Sequence, residues 1–230
     1  MRRQKRRQDL QRSLTTFALL VTAVLLSGVT PAAAQKKPEP AEALAASKAL
    51  IAKADADGIF QPGAWAFGPT ALHERSGLLC RFAMDVPNRL SVNDPQPTRG
   101  DDVSCTTIVG GAIVSHFASH TKLVGDFDYV STTALAALKA RVGETSRYTD
   151  KVFDLKAAAL PPIRVERLVS EQSGMKLYER VAVMDMGEWI ITQRVTAPVA
   201  AGPAVDRMAT MNLAAIAKEM GKSAGDEPAP

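Results

Sequence analysis

Three features of the amino-acid sequence point to an α+β architecture, a single domain in which helices pack on an antiparallel sheet. Strand-like and helical runs are segregated along the chain rather than strictly alternating. Residues 163–197 hold three successive strand-like runs separated by the tight-turn pairs Ser173-Gly174 and Met186-Gly187. Residues 204–220 then change to an apolar period that suits a helix.

The chain begins with Arg2, Arg3, Lys5, Arg6, Arg7 and Arg12, followed by an apolar run from about Leu14 to Val29 and the small residues Ala32-Ala33-Ala34. That order reads as a secretory signal peptide over residues 1–34, cleaved after Ala34. The apolar run is short for a membrane span, which needs roughly 20 residues, so the expectation is no stable membrane insertion after cleavage. An uncleaved anchor is the alternative. Arg6-Arg7 precedes Gln8-Asp9-Leu10, and the acidic residue argues against twin-arginine export.

The charge balance changes with that reading. The whole chain has 28 basic and 24 acidic residues, a formal net charge of +4. Without residues 1–34 the balance is 22 against 23, or −1. The basic character belongs to the signal, and nucleic-acid binding, which needs a basic patch on the folded domain, is not expected. The expected location is periplasmic or secreted.

The two cysteines fit that compartment, where disulfides form and persist. Cys80 and Cys105 are too far apart in sequence for a C-x-x-C redox motif, and soft ligands for a metal are lacking around them. They are expected to form one structural bridge, worth about 3.5 kcal/mol in the loop-entropy account. The enclosed segment is turn-rich, with Val86-Pro87-Asn88 and Asn93-Asp94-Pro95-Gln96-Pro97, and has little apolar surface of its own.

Residues 35–57 read as a leader (35–41) and an alanine-rich helix (42–56) with Leu44, Ala45, Leu50 and Ile51 on its apolar side. The α+β domain is expected over residues 58–221. Residues 71–74 and 78–82 flank Arg75-Ser76-Gly77 as a hairpin, and residues 103–109 and 112–124 flank the Gly110-Gly111 turn as another. That pairing would let the disulfide join neighbouring parts of one sheet. Val130, Ala134, Leu135, Leu138 and Val142 mark a helix capped by Ser131 or Thr132 and ended by Gly143. In the meander, Arg164, Glu166, Glu179, Glu188 and Arg194 spread charge along what reads as a solvated face. Met208, Met211, Leu213, Ile216 and Met220 mark the buried side of the last helix, and residues 222–230 read as a disordered tail.

The meander with Trp189 in its last strand, the following Pro-containing loop and the amphipathic helix resemble, in element order, the end of the PsbP/DcrB-like group of small exported α+β domains. The resemblance covers the last 65 residues and carries no diagnostic motif, so no functional residue is transferred. It implies an accessory domain rather than an enzyme.

Candidate chemistry is sparse. His116 and His120 would share a face on a helix or a strand, but on a strand they stand roughly 13 Å apart, too far for one metal, so they read as two solvated strand histidines. With Asp126 and Asp128 they are the residues of the alternative reading, a metal-dependent or hydrolytic enzyme. His73 reads as an ordinary hairpin residue. Asp94, Asp101 and Asp102 do not match the spacing of a calcium loop. Neither G-x-S-x-G nor S-x-x-K occurs. Trp65, Phe67, Tyr178 and Trp189 read as core or sheet residues, with residues 63–68 the one Gly-flanked aromatic stretch that would face a ligand. No cofactor is expected. The first reading is a binding or accessory domain that uses its sheet, or a sheet–helix groove, to hold a protein, lipid or small molecule in the cell envelope. A cell-envelope structural protein is a third reading.

Overall fold

Two turns set the registers of the largest sheet. At Ser173-Gly174 and at Gly110-Gly111 both residues lie at positive φ (51° and 76°; 57° and 79°), the geometry of a two-residue hairpin whose twist matches that of its strands. The computed structural model describes residues 38–94, 98–150, 152, 153, 155–158 and 160–225. Residues 1–34, read above as a signal peptide, the start of the leader, the Pro95-Gln96-Pro97 part of the turn segment and residues 226–230 of the tail lie outside them.

In chain order the elements are α1 (Pro40–Lys53), β1 (Phe60–Trp65), β2 (Gly68–His73), β3 (Leu79–Arg81), β4 (Arg89–Val92), β5 (Asp102–Val109), β6 (Ala112–His120), α2 (Thr121–Val124), α3 (Phe127–Val142), β7 (Thr145–Arg147), β8 (Ile163–Gln172), β9 (Met175–Asp185), β10 (Trp189–Pro198) and α4 (Gly202–Gly225). Short 3₁₀ turns cover Leu155–Ala158 and Val199–Ala201. β1, β2 and β3 form a small sheet; the large sheet runs β4-β5-β6-β10-β9-β8-β7. Every strand pairing is antiparallel. The described residues thus form the α+β arrangement that the segregated periods predict.

The large sheet has two unlike faces. On its inner face Ala118, Met184, Trp189 and Ile191 meet Leu213, Ile216 and Met220 of α4 together with Phe60, Leu78 and Phe82 from the small-sheet region. Val114, Tyr178 and Val195 continue that face against Val205 and Ala209 of α4. On the outer face, Ala134, Leu138 and Val142 of α3 pack on Leu168, Val181, Val183 and Ile190. These three positions recur at i, i+4 and i+8, the stripe that holds a helix on a sheet. Burying a side chain such as Leu138 (1 % exposed) stabilises by about 2 kcal/mol.

Local expectations are corrected at several points. Helix α3 begins five residues earlier than a Ser131 cap would place it, because Asp126 is the cap and accepts the Tyr129 N–H at 2.8 Å. Ser131 and Thr132 instead donate back to the Phe127 and Asp128 carbonyls. Strand β6 stops at His120, and residues 121–124 turn as α2. The buried stripe of α1 is Ala43, Ser47 and Ile51. Ser47 Oγ donates to the Thr70 carbonyl at 2.5 Å and accepts from the Gly63 N–H at 3.3 Å, so α1 is fastened across β1 and β2. It belongs to the folded body, and the boundary at residue 57 separates nothing. Helix α4 runs on to Gly225, so the tail read from residue 222 begins as helix.

Cys80 and Cys105 are bonded. Cys80 lies in β3 and Cys105 in β5, so the bridge joins the small sheet to the large one rather than two parts of one sheet. Within the enclosed segment, β4 pairs with β5, and the Asp94 carboxylate accepts the N–H groups of Gly100, Asp101 and Asp102 at 3.0, 3.0 and 3.3 Å.

Candidate binding groove

The residues nominated by sequence do not converge. His116 sits on the inner face, where its Nε2 lies 2.9 Å from Gln193 Nε2. His120, four residues along the same strand and so roughly 13 Å away, accepts the Lys122 N–H at the start of α2. Asp126 caps α3, and Asp128 pairs with Arg164 at 2.7 Å. Among the described residues no three His, Cys, Asp or Glu side chains are placed to hold a metal ion. His116 and His120, read as solvated, are buried (9 % and 7 % exposed), because β6 is a central strand covered on this face. His73 is fully buried against Phe60 and Trp189, and Trp189 also meets His120 edge-on at 5.1 Å.

Asp94, Asp101 and Asp102 are likewise engaged. Asp94 holds backbone N–H groups, Asp101 pairs with Arg75 at 2.5 Å and Asp102 accepts from Ser119 at 2.9 Å. A shallow cleft of about 430 Å³ lies between the α2–α3 corner and the β9–β10 turn. Its carboxylates already have donors: Asp126 in its cap and Asp185 from the Gly187 N–H.

Beneath α4 lies a buried polar network. Asp206 is fully buried and ion-paired with Arg167 (2.6 Å) and Arg180 (3.3 Å), and it accepts from Tyr178 Oη at 2.7 Å and the Phe153 N–H at 2.9 Å. Burial alone would raise its pKa; the donors from Arg167, Tyr178 and Phe153 outweigh that and hold it below the ordinary carboxylate value. Arg180 also donates to Gln193, and Gln193 Nε2 donates to the Ala209 carbonyl at 3.0 Å. Every member is shut off from solvent or nearly so. The network fastens α4 to the sheet and offers no room for a ligand.

The outer face is different. Helix α3 packs on β8, β9 and β10. Beyond it, the outer face of β4, β5 and β6 contributes no side chain to any of the three apolar clusters. Strand alternation brings Ser104, Thr106, Ser115, Phe117 and Ser119 to that face, with Thr192, Arg194 and Thr196 of β10 beside them. Hydroxyls bond across it, Thr106 with Ser115 at 2.8 Å and Ser119 to Asp102 at 2.9 Å. The floor is thus a largely polar half-sheet, with the Ile108–Ile113 pair at its hairpin end, and α3 stands along one side as a wall.

Where wall meets floor the charges concentrate. Glu179 of β9 is fully buried and holds Arg141 of α3 at 3.1 Å, Thr196 Oγ1 at 2.7 Å, and Ser170 and Gln172 at 3.4 Å. Burial raises its pKa, against the pull of Arg141. Two residues from Thr196 on the same face, Arg194 stacks on Phe117 with its guanidinium carbon 5.1 Å from the ring centre. Burial lowers the Arg194 pKa, and the charge of Arg141 lowers it further. The Nε atoms of Arg141 and Arg194 are both buried without a hydrogen-bond partner.

Sequence reading passed over Arg141 and Phe117, and took Arg194 and Glu179 as charges on a solvated face. Alternation alone places Arg194 with Thr192 and Thr196. That this strand is central depends on β6 pairing with β10, which no local signal announces. The aromatic stretch at 63–68 is the tip of the β1–β2 hairpin; Trp65 and Phe67 stack edge-on at 5.1 Å and are 37 % and 58 % exposed, not core.

No protein-family model matches the chain, and no curated protein matches it. No helix among the described residues is long and apolar enough to cross a membrane.

Proposed function

We propose that the chain is a binding or accessory domain of the cell envelope, exported by a cleaved signal peptide at residues 1–34, and that it holds its ligand in the groove between α3 and the outer face of β4, β5, β6 and β10. The observation that carries this reading is the asymmetry of the large sheet. Its inner face is filled by α4 and the small sheet, whereas half of its outer face is left polar, aromatic at Phe117 and charged at Arg194. A sheet that needed only solvation on this side would not require a half-buried arginine. The Cys80–Cys105 bond suits an oxidising compartment, and the element order of the PsbP/DcrB-like group suits an exported accessory domain.

The test is native mass spectrometry of the protein recovered from its own envelope fraction, then denaturation of the same sample. The expected result is a mature chain starting at Gln35, with a small molecule or partner that leaves on denaturation. A chain that retains residues 1–34, or that is bare and without partner, overturns the reading.

A further inference from the structure

We propose that Arg194, with Arg141 beside it, recognises an oxyanion, the carboxylate or phosphate group of the ligand held in this groove. The inference rests on the binding reading above and names the chemistry of its site.

The argument begins with a charge count. Two arginines, Arg141 and Arg194, lie at the α3 edge of the half-sheet: Arg141 reaches Glu179 at 3.1 Å, Glu179 holds Thr196 at 2.7 Å, and Arg194 is two residues from Thr196 on the same face. That carboxylate, Glu179, is committed to Arg141 and to three neutral donors. Among the described residues no carboxylate lies within ion-pairing distance of Arg194. Of the other acidic groups of this face, Glu166 is exposed on β8 in the same register row as Arg194 but two strands away, Asp102 is two strands and four register positions away, and Asp128 pairs with Arg164 near the other end of α3. A half-buried cation facing another cation is costly unless an anion completes the set.

Geometry says which anion. The Arg194 guanidinium carbon lies over the Phe117 ring, 5.1 Å from its centre, and its Nε is buried without a hydrogen-bond partner. A guanidinium carries a fork of N–H donors that matches two oxygens of a carboxylate or phosphate side by side. Hydroxyls flank the position: Ser115 lies directly across in β6, and Thr192 and Thr196 lie two residues along on the same face. Arg180, on the inner face of the sheet, shows the contrast. It is fully buried and already has Asp206, Gln193 and Thr210.

The test is an NMR titration of the folded domain with inorganic phosphate and, separately, acetate, at ionic strength held constant with sodium chloride. Saturable shifts are expected at residues 113–119, 139–143 and 192–196. The stronger of the two probes identifies the group. Arg194→Gln should weaken binding at least tenfold and Arg194→Lys, which keeps the charge and loses the fork, by less. Lys48→Gln on exposed α1 should change nothing. Should Arg194→Gln fail to fold, Arg194→Lys and Phe117→Leu carry the comparison. Shifts scattered over surface lysines, or an Arg194→Lys protein that titrates like the parent, overturn the proposal. The two failures are distinct. A neutral ligand in the envelope-derived protein, with no oxyanion titration, overturns this inference and leaves the binding reading intact. A bare, partnerless chain overturns the binding reading alone.

Discussion

Gln193 and His116 face each other across β10 and β6, Nε2 to Nε2 at 2.9 Å. An amide nitrogen only donates, so the imidazole nitrogen must accept, and the ring is neutral with its proton on Nδ1. Burial, then the charge of Arg180, lower the His116 pKa to about 4. His73 is lowered to about 4 as well, by burial and then Arg75.

The consequence is acid sensitivity of a definite range. Both folded-state pKa values lie below the unfolded value of about 6.5, so the unfolded chain takes up protons first as pH falls. The stability these groups sustain is intact above pH 6.5 and is lost progressively down to about pH 4, by at most about 3 kcal/mol per histidine. Urea midpoints at intervals across that range should fall, and His116→Gln should flatten the slope. Midpoints that stay level between pH 7 and pH 4 contradict the assignment.

Asp206→Asn should be among the most damaging single changes. It leaves Arg180 fully buried and Arg167 nearly so without a counter-charge, a loss of roughly 3–5 kcal/mol. Because the Asp206 pKa is held down, its own contribution is present above the ordinary carboxylate value of about 4 and lost as pH falls further. Denaturant melts of Asp206→Asn and of Tyr178→Phe, which removes one neutral donor and should cost about 1 kcal/mol, give the comparison.

Reducing the Cys80–Cys105 bond should cost about 3.5 kcal/mol in the loop-entropy account. Because it joins the two sheets, amide exchange should accelerate first in α1 and β1–β3, where the inter-sheet tie is lost. Uniform acceleration over both sheets would show that the bridge acts only on the unfolded chain.

Gly202 and Gly221 lie on the same helix and should respond oppositely to alanine. A Cβ at Gly202 would overlap Tyr148 Oη and come within 2.8 Å of Cζ, whereas one at Gly221 meets nothing within 4 Å. Gly202→Ala should destabilise by about 1–3 kcal/mol and Gly221→Ala should stabilise by up to about 1 kcal/mol, read from thermal melts.

What was legible in the sequence follows the range of the forces involved. The meander, the Gly110-Gly111 hairpin and the body of α3 are local, written in turn residues and apolar spacing, and they were read within a few residues. The β6–β10 pairing joins residues 69 to 83 positions apart, and it decides which side chains are interior. That is why His116, Glu179 and Arg180 were taken for solvated or passed over, and why Arg194 was not seen as half-buried. The short strands β4 and β7 lack any period long enough to register.

The position of β10 also governs when the protein becomes a protein. It is the last strand in sequence, yet it lies between β6 and β9 in space. As the chain emerges from its N-terminal end, the β4-β5-β6 and β7-β8-β9 portions come first, each with an open edge and neither joined to the other. Only when residues 189–198 have followed can the seven strands close, and only then does α4 find its floor. Folding therefore waits for almost the entire polypeptide, and its rate should be set by this one long-range zippering step.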